Sequence, residues 1–163
     1  TLTDVSSLKE NWWGASGQMK MVSSITLPEL YKMKSVKEVT FMKIDTEGCE
    51  YEIISQIKKL ETFQIPIVLQ FEYGGGCEKK TKKGGWDEEY FMSTIKSLEV
   101  LAELGYRSGL IFENASDNPK YFEFDVSLVF DSLFMDNFVW GNIIAFKEVK
   151  PELTQLISKK IRK

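Results

Sequence analysis

Histidine is absent from this 163-residue chain. The commonest general base and metal ligand at neutral pH is therefore missing, which excludes His-containing catalytic triads and His-based zinc sites within it. Cysteine is scarce: Cys49 and Cys77 stand in unlike surroundings, too few for a disulfide framework. A reducing compartment, the cytoplasm, is the expected location. No apolar run approaches the roughly 20 residues of a membrane span, and no signal-peptide pattern opens the chain. Neither a Walker sequence nor a GxGxxG turn occurs, so no phosphate-cradling glycine loop is present. The net charge of -3 lacks the basic excess that non-specific nucleic-acid binding needs. Neither a nucleic acid nor a membrane is an expected partner. Acid–base chemistry is left to Asp, Glu, Lys, Tyr and Cys.

What is present is ordinary for a globular domain. The chain is 43% apolar and 28% charged, and long enough to bury one real core. It opens at Thr1 without an initiator Met and reads as a fragment or a processed piece. Residues 11–17 (NWWGASG) read as a loop; Trp12 and Trp13 suit packing or stacking on a flat ring equally. Residues 20–26 are expected as a short strand. Pro28 suits the first turn of a short helix to about Met33, with Glu29 near its positive end. Residues 39–45 form a strand, with Phe41, Lys43 and Asp45 on one face and Met42 and Ile44 on the other. A helix is expected over 47–60. Cys49, Ile53, Ile54, Ile57 and Leu60 give it an apolar stripe; acids open it and Lys58 and Lys59 close it.

Residues 66–73 (PIVLQFEY) are apolar enough for a strand covered on both faces, and three glycines end it. Residues 77–85 (CEKKTKKGG) read as a solvated loop, placed where a substrate lid would sit. A helix over 86–104 buries Phe91, Ile95, Leu98, Leu101 and Ala102, with Gly105 as its cap. Strands are expected over 106–113, 121–125 and 142–146, a turn-rich loop over 114–120, and helices over 126–134 and 151–161. The alternation predicts an α/β fold with a mostly parallel sheet and an antiparallel last strand.

Asp45 and Glu72 each lie near the carboxyl end of a strand, where open parallel sheets hold their ligands. If the two strands are neighbours, both carboxylates reach one rim. Each has a plainer reading. Glu72 can simply neutralise Lys43, since Gln70 and Glu72 share a face with it and an unpaired buried charge is costly. Asp45, or Thr46, can cap the helix that follows. Glu47 can complement the helix dipole, and Gly48 can mark close packing or room for a ligand.

The stretch KIDTEGCE (residues 43–50) resembles the KIDxEGxE signature of the FkbM-type methyltransferases, enzymes that use S-adenosylmethionine and mostly O-methylate sugars or related hydroxyl compounds. A small-residue loop (GASG), Thr26-Leu27-x-x-Leu30, the strand ending near Glu72 and the late Asn142-Ile-Ile segment follow the family's order. The resemblance spans about residues 12–146. It implies a Rossmann-like methyltransferase sheet in which the Asp45 strand is the fourth, the Glu72 strand the fifth, and the Arg107 and Ile143 regions the sixth and seventh. The first three strands, with the glycine-rich cofactor loop, would then precede Thr1. Residues 1–150 are the C-terminal part of such a domain, and 151–163 a C-terminal helix or tail. Without the first strands the Asp45 strand is an open edge, to be covered by a missing N-terminal half or by a partner chain.

By the same resemblance, Asp45 lies beside the methyl group and the acceptor hydroxyl as the catalytic residue. Glu47, Glu72 and Tyr73 would contact a small-molecule or glycan acceptor. Ala15 and Ser16, with Asp45, would contact S-adenosylmethionine. A divalent metal is not indicated. The competing reading is a non-catalytic α/β module that binds a partner or glycan through the same rim. Calorimetry on this chain alone should show little S-adenosylmethionine binding; micromolar affinity would contradict the missing-half expectation.

Overall fold

The computed structural model describes residues 21–74, 88–113, 119–134, 140–148 and 152. Helix α1 (Leu27–Met33) starts at a capping box. Thr26 Oγ1 accepts from the Glu29 N–H, while the Glu29 carboxylate accepts from the Thr26 N–H at 2.8 Å. Two orphan donors are thereby satisfied, and Pro28 occupies the first turn, where a missing N–H does no harm.

Strand β1 (Phe41–Ile44) pairs in parallel with β2 (Val68–Gly74), with Ile44 opposite Phe71. Between them lie α2 (Glu50–Ile54) and a 3₁₀ turn over Ser55–Lys59. Helix α3 (Glu88–Glu103) follows β2 and ends at Gly105, whose φ of +83° is the left-handed conformation that glycine tolerates. Strand β3 (Ser108–Glu113) pairs antiparallel with β4 (Lys120–Glu123). The last strand, β5 (Trp140–Phe146), inserts antiparallel between β2 and β3. The five-stranded sheet therefore runs β1-β2-β5-β3-β4, and β1 is an edge among the described residues.

One face of this sheet carries the core. Leu69, Phe71 and Tyr73 of β2, Ile111 of β3 and Ile143 and Ala145 of β5 pack with Ile54, Ile57, Leu98 and Leu101 from the helical side. Polar groups here are answered locally. The Tyr106 hydroxyl donates to the Pro66 carbonyl at 2.7 Å, and Lys120 pairs with the buried Glu113 at 2.6 Å.

Several expectations change. Among the described residues the sheet is a mixed one: β1–β2 is the only parallel pairing, because β5, antiparallel as expected of the last strand, separates β2 from β3. Strand β2 alternates buried and half-buried residues, so it is not covered equally on both faces. Residues 21–26 form no strand; Met21, Val22 and Ile25 are exposed, and a strand needs a neighbour to satisfy its backbone. Residues 126–134 hold only a 3₁₀ turn, Phe130–Leu133. Residues 77–85 and the C-terminal helix, but for Glu152, lie outside the described residues.

Gly141 faces Glu113 across the β3–β5 pair. A Cβ there would stand 2.0 Å from the Phe112 carbonyl oxygen, which is backbone and cannot swing away. Gly141→Ala should destabilise the intact protein by about 2 kcal/mol or more, in the range of overpacked cores. A lowered urea midpoint with an unchanged slope would show it.

Candidate functional site

The site is assembled by the ten residues from Phe41 onward and by β2. Strand β1 delivers Lys43, and Asp45 follows at its carboxyl end. The chain does not enter a helix directly. Glu47 takes φ +55° and Gly48 φ +106°, left-handed conformations that no helix accommodates. Helix α2 consequently starts only at Glu50, and its N-cap Cys49 makes no side-chain capping bond. Neither Asp45 nor Thr46 caps it, and Glu47 is not part of its first turn.

Glu50 holds this turn. One carboxylate oxygen accepts from the Thr46 N–H at 2.8 Å and from the Thr46 hydroxyl at 2.9 Å. The other accepts from the Gly48 N–H at 3.0 Å. Charge-assisted bonds of this kind are the strong ones, and they offset the roughly 1–3 kcal/mol that a left-handed residue costs. The sequence reading placed Glu50 only in the first turn of a helix. Its spacing from Thr46 resembles a capping box lengthened by one residue, and that signal was available.

The result is a cluster. Carboxylate oxygens of Asp45, Glu47 and Glu72 all lie within 4.8 Å of one another. The expected adjacency of Asp45 and Glu72 is therefore present, and parallel pairing is its cause: Asp45 follows the Ile44–Phe71 pair, as Glu72 does on the neighbouring strand. The expected Lys43–Glu72 ion pair is not formed. Lys43 Nζ instead sits 2.6 Å from Asp45, with both side chains about half exposed (50% and 43%). An acidic cluster alone does not make a metal site, and none is assigned.

The carboxylates differ in environment. Burial pushes the Glu72 carboxyl up to about 7, helped by the charges of Glu47, Asp45 and Glu50 and opposed by Lys43. Burial also raises Glu47, with Asp45 and Glu50 adding to it. Lys43 is raised by its hydrogen bond to Asp45. Among the described residues the Glu72 carboxylate has no hydrogen-bond donor or ion-pair partner. Its cross-strand neighbour on β5 is Asn142, whose Oδ1 accepts from Gln70 Nε2 at 2.8 Å. That partner comes from 70 residues away in sequence, and no local pattern announces it.

Beside Glu72 a cleft opens between the 48–51 turn and α3, lined by Gly48, Tyr51, Tyr90 and Thr94 among others, with room for about one water. Tyr73 also borders it, but its side chain is buried (1% exposed). Its ring packs 5.1 Å from that of Phe134, and strand alternation turns it to the face opposite Glu72. The structure thus brings Asp45, Glu47 and Glu72 together and leaves Tyr73 in the core. Trp12, Trp13, Ala15 and Ser16 lie outside the described residues.

A family model described as the methyltransferase FkbM domain matches residues 6–108, more than half of the chain. The chain belongs to the FkbM methyltransferase family. The match covers α1, the carboxylate turn, β2 and α3, so the whole cluster falls inside it. Comparisons with curated proteins and with solved structures found no match. No helix among the described residues is long and apolar enough to cross a membrane.

Two outcomes follow from this geometry. Glu50→Ala should loosen the Thr46–Gly48 turn and lower stability by about 2–4 kcal/mol, the scale of losing bonds to a charged group; chemical denaturation measures it. Glu72 gives a pH test. Its folded carboxyl binds a proton more tightly than the unfolded one, so the native state holds more protons between the ordinary value of 4.5 and about 7. Stability is then highest below that window and falls as pH rises through it. Glu72→Gln should raise the melting temperature at pH 8, and the gain should disappear toward pH 5.

Proposed function

We propose that this FkbM-family protein is an S-adenosylmethionine-dependent O-methyltransferase acting on a hydroxyl of a sugar or related small molecule. The observation that carries the reading is the convergence of Asp45, Glu47 and Glu72 within 4.8 Å at the carboxyl end of the β1–β2 pair. The strand order β1-β2-β5-β3, with β5 antiparallel, supports the Rossmann-like assignment of these strands as fourth, fifth, seventh and sixth.

The donor fits the rim by charge. S-adenosylmethionine carries a positive sulfonium, and the rim gathers three carboxylates, of which Asp45 alone is paired with Lys43. When bound, it supplies an electrophilic methyl carbon. Asp45 is the residue of the rim that would hold it, together with Ala15 and Ser16 by resemblance. The protein's own contribution is alignment and removal of one hydroxyl proton. Asp45, steadied by Lys43 at 2.6 Å, is placed to orient the hydroxyl. Glu47 lies close enough to hydrogen-bond a neighbouring hydroxyl. The cleft beside Glu72 holds about one water, so a sugar-sized acceptor sits over the open rim. The edge of β1, unpaired on one side among the described residues, suits a further part of the same domain or a partner chain as cover.

The test uses the intact protein, methyl-labelled S-adenosylmethionine and a panel of methyl hexosides. Asp45→Ala should cut label transfer about 100-fold or more while donor affinity stays within about tenfold, or ~1.4 kcal/mol. Equal loss of both would mark a folding defect. Absence of transfer by the unaltered protein, despite donor binding, would favour the non-catalytic module.

A further inference from the structure

The division of labour among the three carboxylates is set by where the nearby cation goes. Lys43 is committed to Asp45 by a 2.6 Å ion pair. That pair occupies one of the Asp45 oxygens. Glu72 has no such companion among the described residues. It stands on the half-buried face of β2, flanked by Glu47 and Asp45 within 4.8 Å, and no donor among the described residues reaches it.

We propose that Glu72 is the proton acceptor for the hydroxyl that becomes methylated, and that Asp45 is the positioning carboxylate. This rests on the transferase reading above. The acceptor hydroxyl gives its proton to the Glu72 carboxylate as its oxygen bonds the donor's methyl carbon. The electron pair of the broken carbon–sulfur bond stays on sulfur, leaving a neutral thioether. Glu72 then returns its proton to water.

Burial is the largest influence on the proton affinity of Glu72, and the groups that adjust it come from the elements around it. Asp45 and Glu47 in the turn and Glu50 at the start of α2 raise it; Lys43 at the end of β1 lowers it. Asn142 on β5 faces it without charge, and Tyr90 of α3 lines the same cleft. The balance leaves the carboxyl near neutrality, at about 7, where a general base works best. Asp45, by contrast, is half exposed and already has an oxygen engaged by Lys43.

Two readouts test this on the intact protein. The first needs no turnover: a difference infrared titration of carboxyl groups. One carboxyl should deprotonate near neutral pH in the unaltered protein and still titrate, at a lower midpoint because a neighbouring charge is gone, in Asp45→Asn; the signal should be absent in Glu72→Gln. The second is the pH profile of label transfer from S-adenosylmethionine to methyl hexosides. The acid limb should survive Asp45→Asn, while Glu72→Gln should lose it and fall about 100- to 10,000-fold. If the neutral carboxyl persists in Glu72→Gln, or the acid limb follows Asp45 instead, the assignment is overturned. If Glu72→Gln does not fold, Glu47→Gln decides: both midpoints should move down together, and unmoved midpoints overturn the proposal. An active protein failing these tests removes the Glu72 role alone. A protein that titrates near neutrality yet transfers no label removes the transferase reading, and this role with it.

Discussion

The carboxylate of Glu50 is the constraint on which the site depends. By accepting from the Thr46 N–H, the Thr46 hydroxyl and the Gly48 N–H, it stabilises a turn that the backbone would not otherwise choose. Glu47 stays left-handed at φ +55° because of that hold. A chain that entered α2 directly at residue 47 would carry the Glu47 side chain around the helix and away from β2. The clamp converts a helix start into a loop that carries Glu47 to the rim, and it lies within the family-matched region.

The second constraint is the parallel pairing of β1 and β2. Parallel neighbours end on the same rim, so residues just past one strand meet residues near the end of the other. Asp45 and Glu72 meet for that reason. Their repulsion is not relieved symmetrically, because Lys43 sits on Asp45 alone. Like charges at close range with limited solvent drive one group toward its protonated form. Glu72, a more buried carboxyl with no cation paired to it among the described residues, is that group. Stability is lost above neutral pH because a carboxylate of raised proton affinity is held at this rim.

The cost is confined because the core lies on the other face. Leu69, Phe71 and Tyr73 alternate with Gln70 and Glu72 along β2, so the apolar cluster with Ile54, Ile57, Leu98 and Leu101 is insulated from the charges by the sheet itself. The same alternation explains why Tyr73 left the expected site. A residue next to Glu72 in sequence must point away from it.

Local signals carried much of this protein. The helix start at Pro28 and Glu29, the left-handed glycine at 105, the apolar stripes of α2 and α3 and the strand character of residues 39–45 and 66–73 are short-range consequences of side-chain chemistry and backbone sterics. They were readable because each is decided within one or two turns of chain. The KIDTEGCE stretch likewise announced its family, since a clamp of neighbouring residues must be written contiguously. Other features depended on distant partners. That β5 lies between β2 and β3, that residues 21–26 find no neighbour to become a strand, that Lys43 selects Asp45 over Glu72, and that Asn142 stands opposite Glu72 are outcomes of packing across as many as 70 residues. Sequence supplied the acids and their order; the folded sheet decided which of them kept a cation, because electrostatic energy depends on separation in space and on solvent, neither of which a linear order contains.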